Sequence, residues 1–211
     1  MIEVKNLTLT VRQTIILKDV NMICERGTIC GLIGRNGSGK TMLMKCICGF
    51  VRPTEGEIVV DGKRIGRDRD FPESVGLLIE NPAFIPYYSG MRNLRILAGF
   101  QGKIGAAMIR SAMERTGLDP DLKRHVGKYS LGMRQRLGLA QAIMEDPDLY
   151  VLDEPMNGLD REGIHQIRDL LLEEKKRGKT ILLASHSMED IDCLCDQVYR
   201  MEEGRLQEIN S

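Results

Sequence analysis

Between a short apolar run, Thr28-Ile29-Cys30-Gly31-Leu32-Ile33, and a stretch of helix formers from Lys40 to Cys48 lies the segment Gly34-Arg35-Asn36-Gly37-Ser38-Gly39-Lys40-Thr41. Few sequence features restrict a fold as much. The run that ends at glycine reads as a strand buried on both faces, and Gly49 reads as the stop of the helix that follows. Glycines in the loop let the backbone wrap closely around phosphate oxygens, so that successive N–H groups and the helix start offer partial positive charge. Lys40 is placed to reach the β and γ phosphates of a nucleotide, and the Thr41 hydroxyl to ligate Mg²⁺. A bare glycine-rich turn before a helix would need neither the lysine nor the hydroxyl.

A second signal is Leu149-Tyr150-Val151-Leu152-Asp153-Glu154, an apolar strand that runs into two carboxylates. Burial sets such a strand into a sheet and presents both acids at its carboxyl end, where ligands of open α/β sheets bind. Asp153 is expected to hold Mg²⁺ through water and Glu154 to polarise an attacking water.

The rest of the chain supplies the context. Alternation in Ile2–Leu9 and the β-branched run Thr14–Leu17 predict an opening antiparallel layer, with Glu25-Arg26-Gly27 as a turn. From about Pro82 to Pro147 helical segments are separated by Gly90, Gly102, Gly105 and Gly117, with little strand character. Then strand 148–152, helix 162–176 and strand 180–184 imply a parallel sheet with right-handed crossovers. The expected fold is α/β: a phosphate-loop parallel-sheet core with an N-terminal antiparallel β-subdomain, residues 1–81 and 148–211, interrupted by a helical subdomain, 82–147.

At 211 residues the chain suits one such unit. Lys plus Arg and Asp plus Glu both number 30, so no basic field is available to hold a polyanion and nucleic acid is not an expected partner. The start Met1-Ile2-Glu3-Val4-Lys5 lacks the pattern of a secretory signal, and no stretch approaches a span of about 20 apolar residues. A cytosolic chain is expected. Cys46 and Cys48, like Cys193 and Cys195, are spaced too closely for ordinary disulfides within a helix and have no His cluster beside them. They read as free thiols.

Taken in order, these motifs resemble the ATP-binding subunits of ABC transporters, from the first strand to about residue 206. Tyr129-Ser130-Leu131-Gly132-Met133-Arg134-Gln135-Arg136-Leu137 is similar to that family's signature segment, Asn157-Gly158-Leu159-Asp160 to its D-loop, and His186 to its switch histidine. The resemblance implies ATP and Mg²⁺ as ligands and two copies, or two similar cassettes, paired head to tail on ATP. Ser130, Gly132 and Asp160 of one copy would then face the nucleotide on the other's loop, and His186 would contact the γ-phosphate and the attacking water. Ser130 can also begin a helix as an N-cap, which leaves free N–H groups facing outward. The resemblance further implies hydrolysis driven by Glu154 and a separate transmembrane permease, with the chain peripheral on the inner face of the cell membrane. Export of a drug or antimicrobial peptide is the expected task; a non-transport ATPase of this type, acting on a cytosolic assembly, is the alternative.

Departures from the family pattern carry information. Leu131 and Met133 stand where the signature usually has glycine and glutamine. Glu80 stands after the strand Val75–Ile79 where glutamine is usual, placing an anion near the expected metal. The aromatic that usually stacks on adenine should fall near Val11, and none occurs from Met1 to Cys48. With Ile79-Glu80-Asn81-Pro82-Ala83-Phe84, the signature variant resembles the branch serving exporters of peptide antibiotics, of the bacitracin-resistance and lantibiotic-immunity type. Glu80 to Asn93, with Phe84, Tyr87 and Tyr88 reading as exposed, is the expected groove for a helix of the membrane partner.

Overall fold

Two kinds of strand are written into this chain, and they build two different sheets. In β1 (Ile2–Val11) buried Ile2 and Val4 alternate with more exposed Glu3 and Lys5, the mark of a strand wet on one face. By contrast β3 (Ile29–Ile33) and β8 (Thr180–Ala184) are buried at every residue. The computed structural model describes residues 1–80 and 82–209; Asn81, which falls in two of the segments weighed above, lies outside the described residues, as do 210 and 211.

The first sheet is antiparallel, in the order β2 (Thr14–Cys24), β1, β4 (Glu55–Val60), β5 (Lys63–Arg64). The second runs β10 (Arg205–Ile209), β9 (Gln197–Glu202), β3, β8, β7 (Leu149–Asp153), β6 (Val75–Leu78). All its neighbours are parallel except β10 on β9. Helix α1 (Lys40–Ile47) follows β3. Alone, so short a helix would not persist in water. It is held by burying Leu43, Met44, Cys46 and Ile47 in a core shared with the antiparallel sheet, at about 1.5–3 kcal/mol per large apolar side chain.

Between β6 and β7 the chain forms α2 (Gly90–Gln101), α3 (Ala106–Arg115), a 3₁₀ turn at Val126–Lys128 and α4 (Leu131–Ile143). These helices fall within the stretch expected to be helical, 82–147. Alternate residues of β7 serve the two cores: Tyr150 and Leu152 pack toward the inserted helices, Leu149 and Val151 toward the antiparallel layer. Helix α4 lies so close on β6 that a Cβ at Gly76 would strike the Ala142 carbonyl, which explains a glycine inside a strand. The return crossover is α5 (Arg161–Lys176), and α6 (Met188–Leu194) links β8 to β9.

The predicted strands and helices of the parallel core are present within a residue or so of their expected ends, but β1 runs two residues beyond its expected end at Leu9 and β2 seven beyond its expected end at Leu17, and β4, β5, α6, β9 and β10 carry no clear sequence signal. Phe84 and Tyr88 differ from expectation. Phe84 is half-buried against the core of the helical subdomain, and Tyr88 is half-buried beneath Arg92, whose guanidinium lies 3.7 Å from the ring centroid. Apolar contact and cation–π attraction draw both inward. Tyr87 remains 69% exposed. The six cysteines are free thiols, four of them fully buried. Burial pushes the Cys46 and Cys48 thiols up to about 11 and about 12, so both stay protonated and inert at neutral pH.

Candidate active site

Every parallel strand of the larger sheet delivers its chemistry at the same end. Beyond β3 the loop Gly34–Thr41 turns into α1, with Gly37 and Gly39 at φ of 80° and 118°, values that side-chain-bearing residues rarely adopt. A Cβ at Gly34 would run into the Met201 carbonyl and lie 2.7 Å from Ser38 Oγ. Gly39 begins α1 without any side-chain cap, so the first N–H groups of the helix remain available to an anion. Lys40, only 6% exposed, arches back over the loop and donates to the carbonyls of Gly34 (2.6 Å) and Arg35 (3.3 Å). Beside the loop an open cleft of about 730 Å³ extends to β9 and β10, lined by Arg35, Arg200 and Arg205 together with Glu202 and Glu203.

At the end of β7 the Thr41 hydroxyl donates to Asp153 Oδ2 at 2.6 Å. A hydroxyl and a carboxylate meeting at a phosphate-binding loop form the hard oxygen donor set that Mg²⁺ takes, with phosphate oxygens completing its shell. Among the described residues no group of three or more His, Cys, Asp and Glu is placed to hold a metal by itself. The adjacent Glu154 has φ 51° and is held there from two sides: its N–H donates to the Ala184 carbonyl at the end of β8 (2.9 Å), and its own carbonyl accepts from Gln135 Nε2 on α4 (2.8 Å). Glu154 Oε2 lies 2.7 Å from His186 Nδ1 and also accepts the His186 backbone N–H at 3.4 Å.

Two buried side-chain oxygens lack a hydrogen-bond partner among the described residues: Ser38 Oγ in the loop and Glu154 Oε1. A buried polar atom left unpaired costs free energy, so both mark positions completed by something outside the chain. Phosphate oxygens at Ser38 and a water at Glu154 fit the geometry and the chemistry.

The remaining candidates lie elsewhere. Ser130 is exposed and caps α4, accepting from the Met133 N–H at 3.1 Å. Gly132 lies against the D-loop: a Cβ there would come 2.7 Å from the Gly158 carbonyl, and Leu131 covers Gly158 in turn. Asp160 caps α5 through the Gly163 N–H (3.1 Å) and approaches Arg136 at 3.7 Å. Among the described residues no hydrogen bond joins Ser130, Gly132 or Asp160 to the loop Gly34–Thr41 of the same chain. Glu80, just past β6, is turned to Lys45, whose ammonium donates to Oε1 at 2.6 Å, rather than to Thr41 and Asp153. Val11 is 41% exposed. Sequence reasoning quoted Gln135 only as part of the signature segment, without a role of its own, and did not single out Lys45; both act through partners distant in the chain.

Fold and loop together define a phosphate-loop nucleoside triphosphatase. The ABC transporter family model matches residues 17–157. An ABC transporter ATP-binding protein of Bacillus subtilis (strain 168), YybJ, is 46% identical over 98% of this chain and 95% of its own length. The bacitracin transport ATP-binding protein BcrA of Enterococcus faecalis is 38% identical over 100% of this chain and 69% of its own length. A solved ATP-binding subunit of an ABC transporter superposes with a TM-score of 0.89 at 28% identity, covering 100% of this chain and 90% of the other. The chain belongs to the ABC transporter family as an ATP-binding, ATP-hydrolysing subunit.

Proposed function

We propose that the chain drives export of a drug or antimicrobial peptide through a separate membrane-spanning partner, working as a pair of cassettes that closes on ATP and Mg²⁺. One observation carries the chemistry: the buried, unpartnered Oε1 of Glu154, beside the Glu154–His186 contact and one residue from the Thr41–Asp153 pair. Gly34–Thr41 cradle the phosphates and Lys40 turns its ammonium from the loop carbonyls toward the β and γ positions. Thr41 and Asp153 would hold Mg²⁺, which when bound offsets phosphate charge. Glu154 Oε1 accepts a proton of the water aimed in line at the γ-phosphorus, while His186 keeps the carboxylate oriented through Oε2.

Pairing is supported by position. Gly132 lies against Gly158 of the D-loop, and among the described residues Ser130, Gly132 and Asp160 have no hydrogen bond to their own loop, which leaves them available to a nucleotide held by a second cassette. Among the described residues no helix is long and apolar enough to cross a membrane, so translocation needs another chain or segment. The exposed ring of Tyr87, beside Ile85 at 36% exposure, offers that partner an apolar contact. BcrA's role in bacitracin transport supports the cargo class, as does the signature variant around Leu131 and Met133. The chain then sits at the cytoplasmic face of the membrane.

Glu154→Gln is the test. The amide can occupy the same place without the charge that accepts the proton, so turnover should fall by about a hundredfold or more while ATP affinity stays within about twofold. With hydrolysis blocked, light scattering should find a dimer in ATP and Mg²⁺ and a monomer without them. Normal turnover in Glu154→Gln would refute the catalytic assignment, and a monomer at every ATP concentration would refute nucleotide-driven pairing.

A further inference from the structure

The acid at the end of β6 is paired within the chain to a lysine of the helix that follows the phosphate loop. Glu80 adopts φ 59°, and its carboxylate is drawn to Lys45 at 2.6 Å. Because β6 pairs with β7 in parallel, Leu78 opposite Leu152, Glu80 leaves the sheet at the same end as Asp153 and Glu154. A nucleotide bringing several negative charges to that end meets three carboxylates, and each unneutralised one weakens its binding. Lys45 is four residues after Thr41, hence on the same face of α1 one turn further from the phosphate loop. That helix is anchored by its buried Leu43, Met44, Cys46 and Ile47. The ammonium therefore comes from a rigid support, while Glu80 comes from a strand end. Lys45 is a quarter exposed, while the Glu80 side chain is 61% exposed, so the pair is anchored on the lysine side and solvated on the carboxylate side.

We propose that Lys45 is a positioning residue for the nucleotide site: it holds the Glu80 carboxylate one helical turn away from Thr41 and neutralises it, so that a glutamate is compatible with ATP binding at this position. The inference rests on the nucleotide-site reading above and extends it to a side chain that touches neither the phosphate loop nor Asp153. A consequence is that removing Glu80's charge should matter little while Lys45 is present and much more once it is gone.

The experiment measures equilibrium ATP affinity of the full chain, by competition with a fluorescent ATP analogue, in chelator and again with Mg²⁺. The variants are Lys45→Met, Lys45→Arg, Glu80→Gln and the double Lys45→Met/Glu80→Gln. Both groups are partly solvated, which limits the coupling to about fivefold in affinity. Lys45→Met should weaken metal-free ATP binding about fivefold, and Lys45→Arg should restore it to within about twofold of wild type. In the Glu80→Gln background Lys45→Met should change affinity by less than about twofold. An equal loss in both backgrounds would overturn the proposal, because Lys45 would then be serving the nucleotide or the helix directly. No loss in either background would overturn it as well. A wild-type chain that fails to bind ATP would instead bring down the nucleotide reading on which the proposal stands.

Discussion

Each residue of the site is defined by what its neighbours leave unsatisfied. Lys40 spends its ammonium on two loop carbonyls, contacts that a phosphate can replace with a stronger, charge-assisted bond. Lys40→Ala should therefore weaken ATP binding by about ten- to a hundredfold, read by titration with the fluorescent analogue. Affinity equal to wild type would show that phosphates bind elsewhere. Asp153 and Glu154 are adjacent in sequence but have different neighbours: one is hydrogen-bonded to Thr41, the other keeps an oxygen without a partner. The sequence displayed both carboxylates and the loop, since each sits in a dense pattern of glycines or apolar residues. It did not display the task of Gln135, whose side chain holds the Glu154 carbonyl from 19 positions away. That contact exists only because α4 folds across the end of β7.

At the scale of elements, the helical insertion is tied to the sheet by close backbone approach. At Gly76 a methyl group would collide with the Ala142 carbonyl of α4, and at Gly138 a Cβ would come 2.7 Å from Leu78 Cδ1 and from Pro82 Cγ. Gly76→Ala should force α4 off β6 at a cost of about 1–3 kcal/mol. That corresponds to a fall in Tm of roughly 2–12 °C for a chain of this size, measurable by thermal unfolding. An unchanged Tm would mean that the helix can shift without loss. Separating glycines and the lack of strand character made the helices of the insertion legible, and alternation the antiparallel start of the chain. The hairpin β9–β10 was not legible, because its burial alternates around polar residues such as Arg200 and Gln207 and its partner β3 lies far back in the chain.

For the molecule as a whole, a buried acid fastens the insertion to the core. Glu174 on α5 is fully buried and bonded to Arg115 of α3, to Arg177 and to the Tyr150 hydroxyl of β7. Burial alone would push its carboxyl up, but the hydrogen bonds from Arg115, Tyr150 and Arg177 outweigh it and hold it below the ordinary value. A depressed carboxyl stabilises the fold above its ordinary value of 4.5, and that stabilisation is lost as pH falls through and below it. Glu174→Gln should cost about 2 kcal/mol at neutral pH. The difference in Tm from wild type, roughly 4–8 °C, should shrink as the pH is taken toward 3. A difference that did not change with pH would show that the ionised carboxylate is not what holds the cluster. Local pattern by itself determined the phosphate loop, the paired acids, the strand–helix–strand succession of the core and the family, because each rests on short-range spacing that the backbone must obey. Only the tertiary structure decided that Glu80 faces Lys45, that Phe84 turns inward, that Leu131 covers Gly158 and that Glu174 joins three elements. Those contacts depend on which side chains distant in sequence meet across the sheet, and packing, rather than periodicity, selects them.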